Sequence, residues 1–178
     1  NKCILLHLPR ARRLAAQENV KELREIVNEF PGIRLIIAHI GRCFNVEYLE
    51  EALRLMGPDI HKLWFDTAAV MNPATLSLAF STFDKSRMMF GLDLPIFLWH
   101  GRRYWRDGTY QNACREPLPW KKDVDTPEQQ QAYTFFVYEQ LDNILTVMES
   151  QGFTQTEKEA FFSGNAVRFF AACNRGEV

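Results

Sequence analysis

The sequence contains ILLH at 4–7, LIIAH at 35–39, LWFD at 63–66 and RMMFGLD at 87–93, four apolar runs that each end on a histidine or an aspartate. The end residues His7, His39, Asp66 and Asp93 are 32, 27 and 27 positions apart. This spacing fits one strand, one helix and two connections, so it predicts consecutive parallel βα units. In such folds ligands and catalytic groups gather outside the carboxyl ends of the strands. We therefore predict an α/β fold in which these four side chains share one edge of the sheet.

The segments between the runs have the periodicity of amphipathic helices. Strands are predicted at 2–8, 34–39, 62–66 and 87–92, and helices at 18–30, 45–56 and 72–83. Residues 94–126 hold three of the four tryptophans and have no clear period, which predicts an irregular lid. A long helix is predicted from Thr126 to near Gly152, and Thr156 with Glu159 has the spacing of a capping box.

Composition and charge describe an ordinary globular domain. The 178 residues carry a net charge of -1, with 47% hydrophobic and 24% charged residues, which predicts neither a nucleic-acid nor an anionic-membrane partner. There is no apolar run of membrane-spanning length and no signal-peptide pattern, so a soluble, cytoplasmic protein is expected. The four cysteines form no CxxC pair, which favours reduced thiols over disulfides or a structural zinc site.

Three further segments bear on domain organisation and function. Asn1 lies two residues ahead of an apolar strand without an initiator methionine, and we expect a single domain over 1–178 that lacks an N-terminal part. LPRAR follows the first strand in place of a glycine-rich phosphate loop, which argues against nucleotide binding. WHGRRYWR (99–106) mixes bases and aromatics as single-strand nucleic-acid grooves do, but the near-neutral chain argues against that function.

The strand-end residues are candidates for catalysis and metal binding. Imidazole and carboxylate groups can hold a divalent ion that acidifies a bound water, and His7, His39 and Asp93 supply these groups. His39 and Asp93 are also candidate catalytic residues. Each of the three could instead be a structural residue that ends a strand, but their convergence on one edge favours function. Asp66 is expected to hold neighbouring groups by hydrogen bonds rather than to bind metal.

Arginines stand beside the same positions and indicate a small anionic substrate, because the planar guanidinium grips a carboxylate well. Arg10, Arg42 and His100 are the candidate substrate-binding residues. The alternatives are a solvated surface for the arginines and a turn cap for His100. His61 precedes its strand, so we expect a structural role for it. Further arginines lie in the predicted lid: Arg102, Arg103 and Arg106.

Four motifs carry a family resemblance: LIIAHIGR (35–42), LWFDTAA (63–69), MMFGLDLPI (88–96) and GNAVRFF (164–170). They resemble the C-terminal half of the amidohydrolase-related metal-dependent hydrolases, which include aminocarboxymuconate-semialdehyde decarboxylase-like enzymes. The resemblance implies that the chain forms the last four strands of a (β/α)8 barrel. It also implies a divalent metal cofactor, with zinc as the first candidate. It also implies that His7 and Asp93 bind or flank the metal, and that His39 ligates it, orients the attacking water or polarises the substrate. Asp93 could double as the base that accepts the proton.

One element of the family pattern is missing. The first-strand His-x-His pair that completes the metal site occurs nowhere in the chain, so it lies in an absent N-terminal part or this is a degenerate member. We expect a metal-dependent hydrolase of a small carboxylate-bearing substrate, by amide or lactone hydrolysis or a related decarboxylation, that is inactive as the isolated chain. The alternatives are a non-catalytic half-barrel that binds a small anion or a partner, and a half-barrel that pairs with a copy of itself to cover its open strand edges.

Overall fold

A parallel sheet of four strands forms the centre of the computed structural model, which describes residues 3–9, 11–106, 109–115 and 125–175. The strands lie side by side in chain order. Their bounds are Cys3–Leu6 (β1), Arg34–Ile37 (β2), Trp64–Asp66 (β3) and Met88–Met89 (β4). Helices connect them, so the predicted α/β fold of parallel βα units is confirmed, and four such units are the arrangement of half a (β/α)8 barrel.

Three helices cover one face of this sheet. They are Gln17–Glu29 (α1), Val46–Met56 (α2) and Pro73–Thr82 (α3). Apolar residues on the predicted stripes of α1 and α2 are buried, such as Leu23 and Leu49, and α3 buries Phe80. They join strand residues such as Ile37 and Phe65 in the main core. Asn72 begins α3 by accepting hydrogen bonds from the backbone nitrogens of Ala74 and Thr75. None of the helices in the described ranges has the length and apolar content needed to cross a bilayer.

The C-terminal helical segment packs on the other face. It consists of Gln155–Glu159 (α6), a π-helical turn at Ala160–Gly164 and Asn165–Arg175 (α7). The ring of Phe169 meets that of Trp64 at 4.9 Å and joins Ile36 and Met89 in a second apolar cluster. The predicted capping box at Thr156 and Glu159 is wrong by two positions, because Thr154 and Glu157 form it.

The expectation of reduced thiols is wrong for two cysteines. Cys3 at the start of β1 and Cys173 in α7 form a disulfide across 170 positions of sequence. No spacing motif could indicate this pair, because α7 reaches β1 only by folding over the sheet. Cys43 and Cys114 are buried free thiols, and burial raises the pKa of Cys43 to about 12. A neutral buried thiol is a poor nucleophile.

The predicted irregular lid is also wrong where the structure describes it. His100–Arg106 (β5) and Thr109–Cys114 (β6) form an antiparallel pair, and Thr134–Phe135 (β7) joins the other edge of β5. The strand pattern was hidden because the inward positions of β5 are Gly101 and Arg103 instead of apolar residues. Gly101 is needed there, since a Cβ atom would lie 2.2 Å from the carbonyl oxygen of Ala113.

The predicted long helix from Thr126 is interrupted. A short helix at Pro127–Gln130 (α4) begins at the Thr126 cap, and the main helix is Phe136–Ser150 (α5). Between them the chain extends to pair Thr134 with Gly101. The apolar residues keep a helical spacing through this segment, so the sequence does not indicate the break. The break is explained by the pairing of Thr134 with β5.

Candidate active site at the carboxyl edge of the sheet

Two imidazole rings meet where the first two strands end. His7 follows β1 directly and His39 follows β2 after one residue, and their rings lie edge to face with centroids 5.2 Å apart. Parallel neighbouring strands end at the same edge of a sheet, so the predicted meeting of these two residues is explained by β1 and β2 being adjacent.

His39 is held by two hydrogen bonds. Its backbone nitrogen donates to Oδ1 of Asp66 at 2.8 Å, and its Nδ1 lies 2.8 Å from the carbonyl oxygen of Ala68. A carbonyl oxygen only accepts, so Nδ1 carries a proton, and in the neutral imidazole the lone pair is on Nε2. The ring is therefore fixed as one tautomer, with a basic nitrogen available for chemistry.

Asp66 is the group that organises this edge. It is buried at the end of β3, and Oδ1 also accepts a hydrogen bond from the backbone nitrogen of Ala68 at 3.0 Å. Burial raises the pKa of Asp66, and the two backbone donors partly oppose this rise. The prediction that Asp66 holds its neighbours by hydrogen bonds is confirmed.

Asp93 lies close to the same cluster. It is partly buried four residues beyond β4, and its negative charge acts on the pKa values of both His7 and Asp66. Partial burial, then the positive charge of Arg42, lower the pKa of His7, which favours its neutral imidazole. The sheet thus brings His7, His39 and Asp93 to one edge, as their strand-end positions predict.

The backbone at this edge is in an unusual conformation. Residues 39–42 are all left-handed, with φ of 58° at His39, 49° at Ile40, 66° at Gly41 and 62° at Arg42. Each non-glycine residue in this region costs about 1–2 kcal/mol. Such strain concentrates at functional sites. The other two non-glycine residues with positive φ among those described also lie in turns after strand ends, in the loops following β1 and β3: Arg13 and Ala69.

Of the predicted substrate-binding residues, Arg42 lies at the cluster. Its Nη1 donates to the carbonyl oxygen of Leu8 at 3.0 Å, and its other guanidinium donors form no hydrogen bond within the described residues. Partial burial and the charge of Arg13 lower the pKa of Arg42. Arg10 lies outside the described residues. His100 belongs to the second sheet, where its ring meets that of Phe135 at 5.2 Å, and no described contact joins it to the histidine pair.

Arg103 is a buried cation that its sequence position in the predicted lid did not reveal. Its side chain donates from Nη1 to the carbonyl oxygen of Ala69 and from Nε to Oδ1 of Asn112 at 2.8 Å. Burial lowers the pKa of Arg103 to about 10, against the opposing influence of Tyr110, Glu139 and Asp93. The guanidinium stacks over Tyr110 at 4.8 Å. The hairpin thereby becomes part of the site edge instead of a loose lid.

Gln140 of α5 is a second residue that sequence patterns did not indicate. Its Nε2 donates to the carbonyl oxygens of Thr67 at 2.8 Å and Gly91 at 3.0 Å, just beyond β3 and β4. Gly91 lies close to the end of β3, since a Cβ atom there would lie 3.2 Å from Cβ of Ala68. A polar residue on the buried stripe of an amphipathic helix is the signal that could have identified Gln140.

The metal assignment to His7, His39 and Asp93 stays a prediction. Within the ranges that the structure describes, no three histidine, cysteine, aspartate or glutamate side chains come together closely enough to hold a metal ion. Zinc sites need at least three protein ligands. The described residues alone therefore do not form such a site.

Comparison with known proteins identifies a family. The model of the Amidohydrolase family matches residues 4–172. A crystal structure described as an amidohydrolase II is similar with a TM-score of 0.43 and 17% sequence identity, over 88% of this chain and 42% of that one. This chain thus spans less than half the length of that protein. No curated protein matches the sequence.

Proposed function

Because this chain belongs to the amidohydrolase family, we propose that it forms the carboxyl-terminal half of a barrel hydrolase. The reaction is hydrolysis of an amide or lactone bond, or a related decarboxylation, in a small carboxylate-bearing substrate. The observation that carries the proposal is the His7–His39 pair at adjacent strand ends, with His39 fixed by Asp66 and Ala68 and with Asp93 beside it. A purely structural histidine needs no such fixed tautomer with a free nitrogen.

The geometry suits general-base catalysis. The lone pair on Nε2 of His39, or the carboxylate of Asp93, takes a proton from water while the water oxygen bonds to the substrate carbonyl carbon. The same group then returns the proton to the leaving nitrogen or oxygen as the amide or lactone bond breaks. Arg42 holds the substrate carboxylate through its free donors. The hydrolysis consumes one water molecule, and the proton taken from that water ends on the leaving group.

The proposed cofactor of the complete protein is a divalent metal ion, with zinc as the first candidate. When bound, such an ion acts as a Lewis acid and lowers the pKa of a bound water. His7, His39 and Asp93 are the proposed ligands from this chain, but the described residues do not bring three donors together, so no step above depends on it. The isolated chain is expected to bind zinc weakly. Stoichiometric zinc that survives dialysis of the isolated chain would contradict this expectation.

The test is the substitution His39→Asn in the complete protein, assayed on a panel of carboxylated amides and lactones. Asparagine tolerates the left-handed conformation at this position, so the change removes the imidazole with little added strain. Loss of a general base should lower kcat by about 10²- to 10⁴-fold. His61→Asn is the matched control, because His61 is an exposed residue of the Gly57–Lys62 turn, and it should leave kcat unchanged.

Two measurements make the result decisive. Zinc content of both variants separates loss of a ligand from loss of a base, and thermal unfolding shows that both are folded. Full turnover by His39→Asn would refute the catalytic assignment. A complete protein that turns over no member of the panel, yet binds small anions, would favour the second candidate function, a non-catalytic anion-binding domain. That candidate is supported by Arg13 and Arg42, which form no ion pair with a carboxylate in the described part of the chain.

A further inference from the structure

Arg13 is a cation at the same edge that no part of the proposed reaction uses. It lies in the loop between β1 and α1 with a left-handed φ of 58°. Its guanidinium stands over three aromatic rings, with centroids at 5.2 Å for Phe44, 5.6 Å for Tyr48 and 5.9 Å for Tyr110. The side chain is therefore held in place by ring faces instead of by an anion.

Two further arginines lie near Arg13. Arg103 stacks over Tyr110 at 4.8 Å and Phe44 at 5.5 Å, from the side of the hairpin. Arg42 is close enough for the charge of Arg13 to lower its pKa. In the part of the chain that the structure describes, none of the three guanidinium groups forms an ion pair with a carboxylate. The neighbouring Arg12, by contrast, pairs with Glu51 at 3.6 Å.

This arrangement is unfavourable without an anion. The like charges of Arg13 and Arg42 repel one another, and these two partly buried cations have lost water that ring faces and one carbonyl oxygen only partly replace. A bound anion relieves both effects at once.

The cationic group lies one ring away from the proposed chemistry. Phe44 is the link, since its ring centroid is 6.0 Å from that of His39 and 5.2 Å from the Arg13 guanidinium. Arg103 is 7% exposed, and its donors are engaged by Ala69 and Asn112. It is thus a positioning residue that holds the Tyr110 and Phe44 rings, whereas Arg13 is free to contact a ligand.

We propose that Arg13, above the Phe44–Tyr110 rings, binds a second anionic group of the substrate, so that the protein selects small dianions. Arg42 takes the carboxylate near His39, and Arg13 takes the anion at the far side of Phe44. This inference rests on the proposed function, because the ligand is taken to be the substrate of the hydrolase. The shared chemistry of the second group is that of a carboxylate or a phosphate.

The test is calorimetric binding to the complete protein, which does not require turnover. The probes are a linear dicarboxylate, a phosphorylated monocarboxylate of similar length and the matching monocarboxylate. Arg13→Gln should weaken binding of the preferred dianion by about 10- to 100-fold, the range for loss of a charge-assisted hydrogen bond. Binding of the monocarboxylate should change by less than about twofold, because Arg42 is intact.

Arg12→Gln is the matched control, since it removes an adjacent cation that is exposed and paired with Glu51. It should leave all three affinities unchanged, and thermal unfolding of both variants confirms that they are folded. Preference for the dicarboxylate or for the phosphorylated probe identifies the second group, and either supports the subsite.

Three results would separate the two proposals. If monocarboxylated substrates are turned over and Arg13→Gln leaves the affinity for dianions unchanged, the subsite proposal is overturned and the hydrolase proposal stands. Arg13-dependent binding of dianions without any turnover would support the subsite and count against the hydrolase. No measurable binding of either dianion would overturn the subsite.

Discussion

Two groups of positively charged side chains differ in the ion pairs that they form. On the helical periphery, lysines and arginines pair with carboxylates, as in Lys85–Glu157 at 2.8 Å and Arg54–Glu51 at 2.9 Å. At the carboxyl edge of the sheet the partners are ring faces and carbonyl oxygens: Arg13, Arg42 and Arg103. Several peripheral cations are thus paired within the chain, and the negative charges of Glu139 and Asp93 act on Arg103. Arg13 and Arg42 are the two cations at the site edge that we propose for a bound anion. The backbone conformation differs as well, since the described non-glycine residues with left-handed φ lie in loops that follow strands of the sheet.

The largest expected effect tests whether the edge depends on its left-handed turn. Gly41→Ala places a Cβ at φ +66°, 2.5 Å from Cβ of Leu14. The conformational cost and the clash together should destabilise the fold by about 2–5 kcal/mol in denaturant unfolding. Gly152→Ala is the control, because its φ is +67° but nothing lies within 4 Å of the added Cβ. It should lose only about 1–2 kcal/mol, and equal losses in both would show that the contact with Leu14 is unimportant.

The next effect tests whether the edge cations bind an anion. Arg42→Lys keeps the charge but loses the planar pair of donors, and lysine cannot both replace the bond to Leu8 and grip a carboxylate in two places. We expect kcat/KM for carboxylated substrates to fall by about 10- to 150-fold with metal content unchanged. Arg54→Lys, on the paired periphery, should be fully active. Full activity of Arg42→Lys would contradict the proposed role in substrate binding and favour the alternative that Arg42 is a solvated surface residue.

A third effect tests the carboxyl edge as a hydrogen-bonded structure. Asp66→Ala leaves the backbone nitrogens of His39 and Ala68 without an acceptor, which should cost about 1–3 kcal/mol of unfolding free energy. Asp66→Asn keeps an oxygen in place and should retain most of that stability. Equal destabilisation by both substitutions would mean that the charge of Asp66, and not its geometry, matters at this edge.

The smallest effect concerns the periphery. The ion pair with Lys85 and the capping bonds of Thr154 lower the pKa of Glu157 to about 2. A carboxyl whose pKa is lowered by folding stabilises the protein above its unfolded pKa, and this stabilisation is lost as pH falls from 4.5 towards about 2. Glu157→Gln keeps the capping-box geometry and removes the charge. Its thermal unfolding should differ slightly from the parent near neutral pH and converge with it in acid. A difference that persists at low pH would contradict the electrostatic explanation.

The sheet and its edge were predictable because their causes are local. Buried parallel strands need continuous apolar runs, and the regular spacing of His7, His39, Asp66 and Asp93 follows from the length of a βα unit. The same spacing explains why one edge carries all four residues. The roles of Asp66 as a hydrogen-bond acceptor and of Asn72 as a helix start also follow from residue type and position.

The features that escaped prediction depend on contacts between distant segments. Arg103 is charged and lies between aromatic residues, so periodicity could not reveal that it faces inward in β5. The break before α5 arises because Thr134 pairs with Gly101. The Cys3–Cys173 disulfide joins residues 170 positions apart.

The sequence by itself determined the repeated strand and helix pattern, the order of the strands and the chemical groups at their ends, because hydrophobic periodicity and unit length act along the chain. Only the tertiary structure decided that His39 is fixed by Asp66 and Ala68, that residues 39–42 turn left-handed, and that Arg13 and Arg103 meet across the Phe44–Tyr110 rings. These depend on how close the edge residues come in space, and distance in space is set by packing between segments that no local pattern encodes.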